Sequence, residues 1–216
     1  MAKVVPNAMG KDMEGKTNDR ELTGIILAGG RSSRMGKDKA LLSLNGKLFM
    51  EYIIEAIESL TSNIIIIGQE EEYEQFGYPV YSDLIPGRGP LGGIYTGLYY
   101  SANSSNLILS CDIPCVTSDL LKYLFNKAYG YRVTVCSHQQ KIEPLIGVYQ
   151  KTCLPLLKDM LETNQLRLRD ALKKLDAHYL HIGEHLSFYK KDLFKNINTP
   201  QEHESLKKLF QNDCEI

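Results

Sequence analysis

With 216 residues, 25 basic against 26 acidic side chains and a formal net charge of −1, the chain can bury one sizeable core, and it carries no global field that would draw it to nucleic acid or a membrane surface. Five cysteines, odd in number and without a Cys-x-x-Cys pair, do not make a disulfide framework, and no apolar stretch is long enough to span a bilayer. Met1 to Arg20 is polar, without the apolar centre of a secretory signal, so the expected compartment is the cytoplasm.

Met1 to Arg20 reads as a flexible extension ahead of a single domain over residues 21–216. Leu22 to Leu27 is an apolar run suited to a buried strand. Leu48 to Leu60 predicts a helix with Phe49, Ile53, Ile54 and Ile57 near one face. Ile64 to Ile67 is a β-branched run of the kind found in parallel strands covered on both faces. Gly92 to Ser101 reads as helical despite its glycines, Asn106 to Ser110 as a buried strand, and Asp119 to Ala128 as a helix. Arg132 to Cys136 and Leu145 to Tyr149 predict two further strands. Lys151 to Leu175 predicts helical segments interrupted around Thr163 and Asn164, and Pro200 opens a final helix.

Strands alternating with helices predict a three-layer αβα, Rossmann-like fold with a mainly parallel sheet. Ligands of such sheets collect beyond the carboxyl ends of the strands. The loop after Leu27, Asp83 and Asp112 would all meet at that edge.

The loop is the segment richest in chemistry. In LAGGRSSRMGKDKA, Leu27 to Ala40, three glycines (Gly29, Gly30 and Gly36) are interleaved with Arg31, Arg34, Lys37 and Lys39. Glycines let a ligand approach the backbone, and N–H groups among cations after a strand suit a polyphosphate. Two familiar phosphate loops do not fit. The spacing from Gly30 to Gly36 and the Asp38 that follows Lys37 miss the P-loop pattern, and G-x-G-x-x-G is absent from this loop.

This loop closely resembles the signature of the MobA family of molybdenum cofactor guanylyltransferases. More broadly it resembles nucleotidyltransferases of the nucleotide-diphospho-sugar transferase fold. Three later segments match in order: DLIPGRGPLGGI around Asp83, CDIPCVT around Asp112, and NINTP around Asn198. The resemblance spans Leu22 to Phe210 and implies transfer of GMP from GTP to the phosphate of molybdopterin or molybdenum cofactor, with Mg²⁺ as cofactor and cofactor-delivery proteins as further partners.

The resemblance also implies residue roles. Backbone amides of Leu27, Ala28 and Gly29 match the nucleotide-binding start of the loop. Lys39 matches the lysine that contacts nucleotide phosphates, and Arg34 the arginine that neutralises the transferring or leaving phosphates. Asp112 matches the metal ligand, and Asn198 a polar residue that supports the metal. Asp83 falls at the guanine nucleotide and Gly68 at the base-side position. Arg167 and Arg169 offer a receiver for the pterin phosphate, or form a solvated helix face. His178, His181 and His185 would not share one face of an extended segment and read as surface or packing residues. Cys111 and Cys115 flank Asp112 and read as core thiols rather than a zinc pair.

Three alternatives stand beside the guanylyl reading. One is a relative that uses CTP or another NTP and acceptor. The second is a noncatalytic nucleotide-binding regulator, which would not need Arg34, Lys39 and Asp112 together. The third is a zinc protein.

Overall fold

The computed structural model describes residues 21–28, 38–69 and 71–212, without the side chains of 208–212. The first apolar run forms β1 (Leu22–Leu27), and a short hairpin, β2 (Ser43–Leu44) and β3 (Lys47–Leu48), leads into α1 (Phe49–Glu58). Next come β4 (Ile64–Ile67), a 3₁₀ turn at Glu71–Phe76, β5 (Val80–Tyr81), α2 (Gly89–Tyr100), β6 (Ser105–Ser110) and α3 (Ser118–Lys127). The second half holds β7 (Val133–His138), β8 (Lys141–Gln150), α4 (Leu154–Glu162), α5 (Leu168–Lys174), β9 (His178–His181) and α6 (Pro200–Asn212).

Among the described residues seven strands form one sheet in the order β5-β4-β1-β6-β8-β7-β9. Each of β5-β4, β4-β1, β1-β6 and β7-β9 pairs in parallel, while β8 runs antiparallel to both neighbours. The expected mainly parallel sheet is therefore present, with one reversed strand in its second half.

The pleat explains the three layers. Alternate residues of a strand face opposite sides. Ile26, Ile66 and Leu109 enter one core with Met50, Ile53 and Ile57 of α1 and Leu120 and Leu124 of α3. Ile25, Ile65 and Ile108 enter the other with Leu91, Ile94 and Leu98 of α2 and Leu157 and Met160 of α4. Each such side chain, once fully buried, contributes about 1.5–3 kcal/mol. This is why the strands read as continuous apolar runs rather than alternating ones.

A third, smaller core positions the site. Leu42 and Leu44 of the hairpin region, Phe49 of α1, Ile197 ahead of α6 and Leu206 within it pack together. His203 Nε2 lies 2.8 Å from the Ser43 carbonyl and its ring meets Phe49 edge-on at 5.5 Å. The C-terminal helix is thereby fastened beside Lys39. The hairpin itself turns on Asn45 and Gly46, both with positive φ, a conformation that the Asn-Gly pair adopts readily.

Candidate active site

The carboxyl ends of the central strands converge through backbone bonds. Ala28 N donates to Ile67 O at 2.9 Å, Cys111 N to Leu27 O at 3.2 Å, and Gly68 N to Tyr81 O at 3.0 Å. Leu27 ends β1, and Ala28, Gly68 and Asp112 follow adjacent strands at the same edge. Tyr73, fully buried, reaches the Ala28 carbonyl at 3.0 Å and the Asp38 carboxylate. Asp38 in turn accepts from Ala40 N at 2.9 Å, so the chain leading to Lys39 is tied back onto β1. Gly68 has a packing reason to lack a side chain, since a Cβ there would lie 2.4 Å from the Tyr73 ring.

At the centre, Lys39 Nζ lies 3.5 Å from Asp112 Oδ2 and donates to Asn198 Oδ1. Both charged side chains are about four-fifths buried, with relative exposures of 19% and 22%. Ser110 Oγ donates to Asp112 Oδ1 at 2.7 Å, and Ile197 N donates to the Asp112 carbonyl at 3.0 Å. Beyond Asn198 the chain is capped by Glu202. Its carboxylate accepts from Asn198 N at 2.8 Å and Thr199 N at 2.9 Å, while Thr199 Oγ1 accepts from Glu202 N at 3.2 Å. This reciprocal cap holds the Glu202 carboxyl below its ordinary range, chiefly through the Asn198 amide.

Two oxygens, the Asp112 carboxylate and the Asn198 amide carbonyl, therefore aim at one cation, the Lys39 ammonium. Among the described residues no group of three or more His, Cys, Asp or Glu side chains forms a metal cage. A cation held here by protein would have few hard oxygen ligands and would rely on substrate phosphates. That is the manner in which Mg²⁺ is commonly bound, so the donor set fits it.

Asp83 follows β5 and lies beside α2. A Cβ on Gly93 would stand 3.8 Å from Asp83 Oδ1 and 3.2 Å from Leu27 Cδ2, which places the carboxylate near the end of β1. The next residue is anchored, with Leu84 N donating to Thr96 Oγ1 at 3.0 Å. Asp83 Oδ1 is buried without a hydrogen-bond partner, and burial raises the carboxyl's pKa above its ordinary value. A buried acceptor without a donor is costly unless something supplies one.

Gly29 and Arg34 lie outside the described residues, as does the extension 1–20. Arg167 and Arg169 are exposed at the start of α5. His178 stacks on Tyr131 at 4.1 Å, and the rings of His181 and His185 lie 5.8 Å apart. Cys111 and Cys115 are unpaired; burial drives the first thiol far up and the second to about 11, which holds both in the neutral form. Among the described residues no helix is long and apolar enough to cross a membrane.

Sequence reasoning missed Tyr73, Asp38 and Glu202 as supports of the site. The capping pair was legible, since Thr199 followed three residues later by Glu202 is a capping-box signature. Nothing local to Tyr73 announces its contact with a residue 45 positions earlier.

A family model described as MobA-like NTP transferase domain matches residues 24–182. A probable molybdenum cofactor guanylyltransferase of Flavobacterium johnsoniae is 41% identical over 84% of this chain and 94% of its own. A protein of the same description from Carboxydothermus hydrogenoformans is 34% identical over 88% of this chain and 98% of its own. Among solved structures, the molybdopterin-guanine dinucleotide biosynthesis protein A of Archaeoglobus fulgidus superposes with a TM-score of 0.75 at 22% identity, covering 88% of this chain and 99% of its own. That likeness establishes the fold, which is of the nucleotide-diphospho-sugar transferase type.

Proposed function

This chain belongs to the MobA-like NTP transferase family, and we propose that it transfers GMP from GTP to the terminal phosphate of molybdopterin or molybdenum cofactor, releasing pyrophosphate. The observation that carries the reading is the convergence of Lys39, Asp112 and Asn198 at the sheet edge where β1 opens into the glycine- and cation-rich loop. That a curated relative 41% identical over most of both chains is described as a probable guanylyltransferase supports the choice of nucleotide and acceptor.

The chemistry needs little acid–base help. The attacking phosphate is already an anion, and it displaces pyrophosphate in line at the α-phosphorus. The obstacle is one anion approaching another, so positioning and charge neutralisation supply most of the catalysis. Asp112, with Asn198, would hold Mg²⁺, which when bound neutralises phosphate charge. Lys39 binds and orients the triphosphate. Arg34 neutralises charge on the transferring or leaving phosphates. The backbone at Leu27, Ala28 and Gly29 receives the nucleotide, although the Ala28 N–H itself is spent on the Ile67 carbonyl rather than left for the ligand, and Gly68 lies on the base side. Asp83 supplies a carboxylate acceptor for donors of the guanine nucleotide, which gives its buried oxygen the partner it lacks. We place the reaction in the cytoplasm.

Incubation with phosphorylated molybdopterin, Mg²⁺ and each NTP in turn, followed by mass analysis, tests this. A guanylylated pterin and pyrophosphate are expected. A predominantly cytidylylated product would overturn the guanylyl assignment while keeping the transferase.

A further inference from the structure

The reversed strand β8 does not run smoothly. Its residues Ile146–Gln150 pair with Leu109–Ser105 of β6, and Gly147 faces Val135 of β7. The next β7 residue, Cys136, faces Glu143. Pro144, Leu145 and Ile146 are therefore accommodated between two consecutive positions of β7. Pro144 has no N–H to give a ladder, and its carbonyl accepts from the buried Tyr149 hydroxyl at 2.7 Å, which braces the bulge. Bulges bend a strand and re-aim side chains, often beside active sites.

The residue where pairing resumes beyond this bulge is Glu143. It is half-buried, and among the described residues no hydrogen bond or ion pair takes its carboxylate. Its ionisation is opposed first by burial and also by the charge of Asp112, while Lys141 favours it. Ile146 pairs with Leu109, so Glu143, three residues before it, and Asp112, three residues after Leu109, lie past the same end of the β6–β8 pair.

Sheet order decides which substrate it would meet. Leu27, Ala28, Gly68 and Asp83 all belong to the β1, β4 and β5 side of β6, and Glu143 belongs to the opposite side. Asp112, two residues past the end of β6, marks the boundary. With the nucleotide filling the β1 side of Asp112, the β8 side is left for the acceptor. A carboxylate there repels the acceptor's phosphate but matches the N–H donors of its heterocycle. A pterin ring presents such donors, a ring N–H beside an exocyclic amine, and hydrogen bonds to an ionised acceptor are the strong ones.

We infer that Glu143 is an acceptor-specificity residue, its carboxylate receiving the N–H donors of the pterin while Asp112 and Lys39 attend to the phosphates. The inference rests on the function proposed above. Lys39 and Asp112 act on charge, which any phosphate carries; Glu143 would act on the heterocycle, which distinguishes this acceptor from other phosphate monoesters.

The test uses the full chain with Glu143→Ala and Glu143→Gln. Steady-state kinetics vary molybdopterin at saturating GTP and GTP at saturating molybdopterin, and Mn²⁺ binding is followed by electron paramagnetic resonance. Glu143→Ala should raise the KM for molybdopterin roughly 10- to 100-fold, the weight of a charge-assisted hydrogen bond. Its KM for GTP and its Mn²⁺ affinity should stay within about twofold of wild type. Glu143→Gln, which keeps one acceptor oxygen and the shape, should fall between, and it carries the test if the alanine variant unfolds. An unchanged KM for molybdopterin overturns the inference. So does a matching loss of Mn²⁺ affinity, which would make Glu143 a metal ligand. A wild-type protein that binds GTP and Mn²⁺ but does not guanylylate molybdopterin would instead strike down the proposed function, and the inference with it.

Discussion

Lys39 stands between Asp112 and Asn198, with Nζ 3.5 Å from the aspartate and donating to the asparagine carbonyl 159 residues away in the chain. A single positive charge thus occupies the point on which two metal-competent oxygens converge. On the proposed function a metal would compete with the ammonium for that point, and a Lys39 displaced from it would be free to turn to the triphosphate. Replacing Lys39 by Met should therefore raise Mn²⁺ affinity in the absence of nucleotide. The same variant should lower kcat/KM for GTP by roughly one to two powers of ten, the loss expected for a charged hydrogen bond. Mn²⁺ titration by electron paramagnetic resonance and initial-rate kinetics read the two effects. Unchanged values in both would remove Lys39 from the site.

Asp112→Asn keeps the shape and the hydrogen-bonding reach to Ser110, but removes the charge. The fold should survive, because the Ile197–Asp112 bond uses the backbone carbonyl. Turnover should fall about a thousandfold, since metal-linked charge stabilisation is worth several kcal/mol and each 1.36 kcal/mol is a factor of ten. Pyrophosphate release and thermal unfolding, measured together, check this. A correctly folded variant with wild-type turnover would end the metal assignment.

Asp83→Asn should trade function against stability. Burial raises the pKa of the Asp83 carboxyl in the folded chain above its unfolded value. Its favourable contribution is therefore full below the unfolded value and is lost as pH rises through the folded one. At neutral pH the ionised group costs stability, and the asparagine does not. The variant should show a higher Tm at pH 7 and a vanishing difference in acid. Its KM for GTP should rise roughly tenfold or more, because an amide offers nucleotide donors a weaker acceptor than a carboxylate. A lower Tm at pH 7 would show that the charge is already compensated.

Gly68→Ala tests packing against ligand contact. The added methyl meets the Tyr73 ring at 2.4 Å and must push away the side chain that ties Ala28 to Asp38. Overpacking of this kind costs about 1–3 kcal/mol, a fall in Tm of roughly 2–12 °C for a chain of this size. Differential scanning calorimetry with and without GTP separates the causes. A normal Tm with weakened GTP binding would favour direct contact with the nucleotide.

The layered fold was legible in the sequence because β1, β4 and β6 are covered on both faces and so appear as uninterrupted apolar runs. The ordered motifs around Leu27, Asp83, Asp112 and Asn198 were legible too, since local residue type and spacing carry them. The Asn-Gly hairpin and the Thr199–Glu202 cap left local marks that could have been read. What no local pattern could reveal is convergence. Side-chain periodicity reports which face of a strand is buried, but not the direction of its neighbours, so the reversal of β8 and the placing of Glu143 near Asp112 came only with the sheet. Likewise, Asn198 reaches Lys39 because a small apolar core of Leu42, Leu44, Phe49, Ile197 and Leu206 fastens the C-terminal helix to the hairpin. The hydrophobic effect is non-directional, and which distant surfaces it joins depends on the whole packed chain. Local residue order set the chemistry available at the sheet edge; long-range packing set which of those groups meet.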